Sequence, residues 1–163
     1  MPQGIHVTVA AIVERDGSFL FVEELVNGRT VLNQPAGHLE QGESLLEAVV
    51  RETLEETGHR FEPTSFVGVY QWHSEEAGAT YLRFAFCGTA QAPAGPVQLD
   101  RGILGTHWLT RGQLGSRGAQ LRSPMVLRCL NDYLAGTRYP LDCVNYVDYR
   151  DATLAQRIRV VRG

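Results

Sequence analysis

The sequence predicts a mixed β-sheet sandwiched between α-helices, an α/β (α+β) architecture. Three observations lead there. Short runs rich in β-branched and aromatic residues recur along the chain. One segment among them, Ser44 to Thr57, has a clear helical period, and a second helical segment, Pro124 to Leu134, follows the last of the runs. Strands that bracket one helix and precede another bury their apolar faces most simply as a sheet packed between helices. With 163 residues and 44% apolar side chains, the chain has the size and material of one domain spanning 1–163.

The elements follow in order. Ile5 to Val13 alternates and reads as a strand. Asp16-Gly17 is a turn signal, so Ser18 to Glu24 returns as a hairpin partner. Asn27-Gly28 marks a second turn, and Val31-Leu32 begins a short strand that Pro35 ends, because proline lacks the N–H a ladder needs. Gly37 to Glu43 reads as a loop. In the helix after it, Leu46, Val49, Val50, Thr53, Leu54 and Thr57 form one stripe at helical spacing. Ser44 with Glu47 is a capping box, and Gly58 supplies a left-handed stop. Ser65 to Trp72, Tyr81 to Thr89 and Ile103 to Leu109 are further strands. Ser123 is the expected N-cap of the second helix, with Pro124 at its first position and Gly136 after its end. The tail from Asn145 carries no clear signal beyond Arg157, Arg159 and Arg162, read as a solvated basic stretch.

Composition excludes several functions. The formal net charge is −3, with no basic stripe, which argues against nucleic-acid binding. Cys87, Cys129 and Cys143 are an odd count without a CxxC pair, so they read as buried thiols in a reducing cytoplasm. No signal peptide or apolar run of about 20 residues is visible, so a soluble cytoplasmic protein, monomer or homodimer, is expected.

The chemistry sits on the polar side of the first helix. Glu52, Glu55 and Glu56 stand at i, i+3 and i+4, so three carboxylates crowd one surface. Taken alone, that is compatible with a solvated acidic face paired to Arg51. It is also how a hard cation such as Mg²⁺ is bound.

The surrounding spacing decides between the two. Gly37, five residues, Glu43, seven residues, Arg51-Glu52, then Glu55-Glu56, one residue and Gly58 resemble the signature of the Nudix hydrolases at every fixed position. Thr53 and His59 depart from it, standing where the pattern has aliphatic residues. Thr53 can bond its hydroxyl back to the helix. The resemblance implies the Nudix fold and a Mg²⁺ (or Mn²⁺) cofactor. It also implies Glu52 and Glu56 as principal metal ligands, Glu55 as a further ligand or outer orienting group, and the Gly37 carbonyl as part of the metal's surroundings. Glu52, Glu55 and Glu56 are thus the catalytic candidates, with Glu52 as the general base, and Glu43 and Arg51 pair loop to helix.

Segments outside the motif look like one phosphatase subgroup of that family. They are His6 to Ala10, Asn33 to Glu40, Gln71-Trp72, Leu82 to Phe84, Leu121 to Pro124 and Arg138 to Leu141. This resemblance implies release of terminal phosphate from nucleoside tri- and diphosphates and from hydroxymethylpyrimidine pyrophosphate, a thiamine precursor. The alternatives are an oxidised-nucleotide hydrolase that releases pyrophosphate and a non-catalytic nucleotide sensor.

Other polar residues remain as candidates. Arg83 lies mid-strand among apolar residues, so it needs a partner: a substrate phosphate held by its fork, or an acid on a neighbouring strand. Trp72 and Tyr81 are aromatic candidates for stacking on a substrate ring, or else packing residues. Gln34, beside the motif loop, is a candidate substrate contact, and His38 a loop residue. Asp100 is the first choice for an extra carboxylate, ahead of Glu75 and Glu76.

Overall fold

The computed structural model describes residues 4–147. The predicted basic tail lies outside them. A long first strand, β1 (Ile5–Arg15), organises the rest. It turns through Asp16-Gly17 into β2 (Ser18–Val26), which turns through Asn27-Gly28 into β3 (Arg29–Asn33). Both central residues of each turn have positive φ (51° and 74°, 49° and 75°), the two-residue geometry that suits the twist of a hairpin.

The motif loop holds a short strand that sequence reading missed. β4 (Ala36–His38) pairs antiparallel with β1, with Gly37 opposite Val9. Helix α1 (Leu45–Thr57) follows, with the expected capping box and a left-handed Gly58 at φ 70°. Its buried face is Ala48, Val49, Glu52, Thr53, Glu56 and Thr57. Leu54, expected on the stripe, is 46% exposed, because the buried arc is rotated toward the glutamates. Thr53 donates to the Val49 carbonyl at 2.7 Å, so its hydroxyl is satisfied inside the helix.

β5 (Arg60–Ser74), β6 (Ala79–Gln91) and β7 (Ile103–Thr110) complete a seven-stranded mixed sheet ordered β3-β2-β1-β6-β5, with β4 on β1 and β7 on β2. β1 and β6 run parallel; the other pairs are antiparallel. A short helix α2 (Arg111–Ser116), capped by Thr110, precedes α3 (Met125–Leu134). One apolar cluster joins Ile12, Phe21, Ala85 and Cys87 to Val126 and Leu130 of α3. A second joins Val9, Val13, Leu20 and Phe86 to Ala48 and Val49 of α1. The sheet therefore lies between α1 and α3, as the alternation along β1 and β6 requires.

Two local expectations are corrected. Pro124, not Ser123, takes the cap position of α3, and the Ser123 hydroxyl is buried with no hydrogen-bond partner. Cys87 and Cys129 are buried thiols, but Cys143 is exposed.

Candidate active site

Arg51 ties the motif together. Its Nε and Nη2 donate to the two carboxylate oxygens of Glu43 at 3.0 and 2.7 Å. Nη1 donates to Glu52 at 2.9 Å and to Glu55 at 3.0 Å, and Nη2 also donates to the His38 carbonyl at 3.0 Å. One guanidinium thus joins loop, strand β4 and helix, which its planar fork allows and a lysine could not. Glu43 also accepts from the Glu40 N–H at 2.8 Å, and Arg51 holds its carboxyl below the ordinary range.

Glu52 and Glu56 turn inward from α1 and are 9% and 7% exposed. Glu52 lies so close to Gly37 that a Cβ there would collide with its carboxyl group, so any larger residue would push that carboxyl from its place. Glu56 accepts from the Ala36 N–H at 2.8 Å. Burial pushes the Glu56 carboxyl up to about 9, despite that bond, with Glu24, Glu52 and Asp100 adding repulsion. Burial raises Glu52 as well, against the pull of Arg51. Desolvated, mutually repelling carboxylates favour protonation unless a cation joins them.

Both glutamates open on a cavity of ≈ 740 Å³. Gly37 and His38 of β4, Glu24 of β2, Arg83 of β6 and Ser123 before α3 share its wall. Burial, with His6 and Arg122 nearby, lowers the pKa of the His38 imidazole. Glu55 is absent from the wall: its side chain is 41% exposed and rests on Arg51.

A family model described as the NUDIX domain matches residues 4–128. The chain belongs to the Nudix family. It is 39% identical over 139 residues to phosphatase NudJ of Escherichia coli K12, covering 85% of this chain and 90% of that one. NudJ of Shigella boydii matches to the same extent. A Nudix hydrolase structure from Nitrosomonas europaea is 46% identical and superimposes with a TM-score of 0.86 over 88% of this chain and 98% of its own. A MutT Nudix hydrolase from Burkholderia pseudomallei, 19% identical with a TM-score of 0.67 over 78% and 97%, shares the fold. The chain is a hydrolase acting on phosphoanhydride bonds, and enzymes of its family use divalent metal ions.

The donor set at the motif suits such an ion. Two buried carboxylates are oxygen donors of the kind a hard cation takes, and among the described residues Glu56 pairs with no cationic side chain. Among the described residues no three acidic, histidine or cysteine side chains already converge as a chelate. The reason is visible: Arg51 holds Glu52 and Glu55, while Glu56 is turned to the Ala36 N–H.

The remaining predicted residues of this Nudix chain fall in different places. Arg83, 4% exposed, has its fork engaged: Nη1 donates to Gln34 Oε1 at 3.1 Å and Nη2 to Asn33 Oδ1 at 3.2 Å. Its hydrogen-bond partners on the fork are thus two side-chain amides, and among the described residues no acid on a neighbouring strand pairs with it. Gln34 stands behind the wall. It is 1% exposed, and its Nε2 donates to the Val126 carbonyl at 2.7 Å, so both polar ends are occupied by the fold. Tyr81 is stacked on both sides, against His6 (5.2 Å) and Trp72 (5.7 Å), so its faces are taken and Trp72 ends the ladder at the sheet edge.

Asp100 is tethered near the motif, its N–H donating to the Glu55 carbonyl at 3.1 Å, but it is not part of the cavity wall. Glu76 reaches the wall and pairs with Arg29 at 3.5 Å; Glu75 does not reach it. The carboxylate missed by sequence reading is Glu24. In sequence it is the second of two adjacent glutamates after an apolar run. Only the pairing of β2 brings it to the cavity.

Proposed function

We propose that this Nudix hydrolase is a Mg²⁺- or Mn²⁺-dependent phosphatase. It releases terminal phosphate from nucleoside tri- and diphosphates and from hydroxymethylpyrimidine pyrophosphate. The observation that carries the reading is the buried pair Glu52 and Glu56, opening with Gly37 on one cavity large enough for a nucleotide. The likeness to phosphatase NudJ over most of both chains supports the choice of phosphate over pyrophosphate as product.

In this reading Glu56, Glu52 and the Gly37 carbonyl hold the metal. The ion, when bound, neutralises charge on the phosphate oxygens and activates water. Glu52 takes the proton from the attacking water. Glu55 keeps Arg51 oriented, and Arg51 with Glu43 fixes the loop so that β4 stays against the helix. Trp72 forms a ring platform at the cavity rim. The test is product analysis on a panel of pyrophosphate metabolites with Mg²⁺, measuring phosphate with and without added pyrophosphatase. Phosphate appearing directly supports the proposal. Phosphate appearing only after pyrophosphatase would favour a triphosphate pyrophosphohydrolase, and no turnover with any metal would favour a nucleotide sensor.

A further inference from the structure

Among the described residues, four buried side-chain polar atoms have no hydrogen-bond partner: Thr8 Oγ1, Glu24 Oε1, Arg83 Nε and Ser123 Oγ. All four residues line the same cavity, and none belongs to the motif loop or helix. They come from β1, β2, β6 and the segment before α3. Thr8, Arg83 and Ser123 are 7%, 4% and 6% exposed. Buried polar groups are nearly always paired, so four orphans on one wall mark a place shaped for something else.

These groups are fixed in place. Thr8 and Arg83 are direct neighbours across the β1–β6 pair. Asn33 and Gln34 hold the Arg83 fork and leave its Nε–H directed elsewhere. A register shift between Glu23 and Glu24 in the pairing with β7 re-aims the Glu24 side chain. Its Oε2 lies 4.0 Å from Arg122 Nε, and the Arg122 N–H donates to the Leu32 carbonyl at 2.9 Å, which docks the segment bearing Ser123.

The pattern selects a ligand chemistry. Arg83 Nε–H can only donate, an ionised Glu24 can only accept, and the two hydroxyls do either. A phosphate only accepts and would meet Glu24 as a like charge. An amino group beside a ring nitrogen or ring carbonyl offers a donor and an acceptor on one planar edge, and so matches both. The Trp72–Tyr81–His6 ladder, which enters the same cavity through Trp72 and Tyr81, suits a flat ring.

We propose that Thr8, Glu24, Arg83 and Ser123 form a recognition subsite for the non-phosphate part of the substrate, a heterocycle with an exocyclic amino group beside a ring acceptor. The proposal rests on the phosphohydrolase reading above and adds the specificity residues to it. Glu24 selects the amino group; Arg83 and the hydroxyls take the ring acceptor.

The experiment compares cytidine and adenosine triphosphates with their analogues lacking the exocyclic amino group, in the wild type, Glu24→Ala and Glu24→Gln. The wild type should prefer the amino form roughly ten- to a hundredfold in kcat/KM, the range for a hydrogen bond to a charged group. Glu24→Ala should bring that ratio to within about twofold of one. Glu24→Gln preserves side-chain shape and decides the matter if the alanine variant does not fold. It should lower the ratio less, since its amide oxygen still accepts. A wild-type ratio near one would mean that only water fills the wall and would overturn the subsite. An unchanged ratio in both variants would also overturn it, and with equal losses on both substrates would place Glu24 with the metal carboxylates. The ratio can be read on any product, so pyrophosphate release would remove the phosphatase reading and leave this test standing.

Discussion

The cavity has two ends that handle polar groups in opposite ways. At the motif end, Glu43, Arg51, Glu52, Glu55 and Glu56 all have partners within the loop, β4 and α1. At the other end, Thr8, Glu24, Arg83 and Ser123 each keep an atom unpaired, and the four come from four separate stretches of chain. The first end is a device complete in itself, built for a charge that many substrates share. The second is left incomplete by the fold, and that is where one substrate can be told from another. Perturbing each end in turn tests that division.

The largest stability effect should come from the incomplete end. Arg83→Met keeps the stem and removes the guanidinium, which strands the acceptors of Asn33 and Gln34. Two buried acceptors cost ~1–3 kcal/mol each, offset partly by relief of the buried cation, for a net loss on the order of 2–4 kcal/mol. Urea unfolding reads this directly. A stability near wild type would show that Arg83 does not brace the wall. The motif end should lose function instead of stability. Glu56→Gln can still accept from the Ala36 N–H, so circular dichroism should be unchanged while kcat falls roughly 10²-fold or more. Near-normal turnover in a folded variant would remove the metal role proposed for Glu56.

The same division governs what could be read from the sequence. The helix of the motif was legible because its period, capping box and stop are all local. Placing Glu52 and Glu56 on one face followed from spacing alone. β4 was not legible: three residues around a glycine carry no alternation, and their strand character comes from β1, remote in sequence. α2 was missed because Arg111 to Ser116 holds two glycines, yet Thr110 and Gln113 form a capping box that marked its start. Ser123 fits a cap by residue type, yet its hydroxyl makes no capping hydrogen bond. Gln34 was read as a substrate contact, because burial behind a wall is invisible without the wall. Glu24 had no signal at all, since a β-bulge and a cross-sheet neighbour give it its position.

A smaller effect should follow at the rim. Trp72→Ala removes the sheet-edge ring of the aromatic ladder without disturbing either carboxylate. Stacking on an aromatic side chain is worth ~1–3 kcal/mol per base, and this ring is already shared with Tyr81, so KM for nucleotides should rise about tenfold or less. Inorganic tripolyphosphate should show a smaller change. Equal changes for both would mean that Trp72 shapes the cavity instead of meeting the ring.

The smallest effect tests the claim that the motif end is complete in itself. Glu43 and Arg51 share two hydrogen bonds and lie 15% and 23% exposed at the side chain. Either variant removes the same two hydrogen bonds, so the Glu43→Ala and Arg51→Ala losses should overlap, with a coupling of about 1 kcal/mol in the double mutant. Arg51 also loses Glu52, Glu55 and the His38 carbonyl, so its single variant should be the worse of the two. The pH dependence supplies an independent sign. Arg51 holds the folded Glu43 carboxyl below its ordinary value of 4.5. The pair's contribution is therefore present above that value and is lost as pH falls through the lower folded one. The stability gap between wild type and Glu43→Ala should be constant near neutrality and shrink as pH falls below that ordinary value, as read by thermal unfolding across pH. A gap that persists at low pH, or clean additivity in the cycle, would show that the loop is held by packing and not by this ion pair.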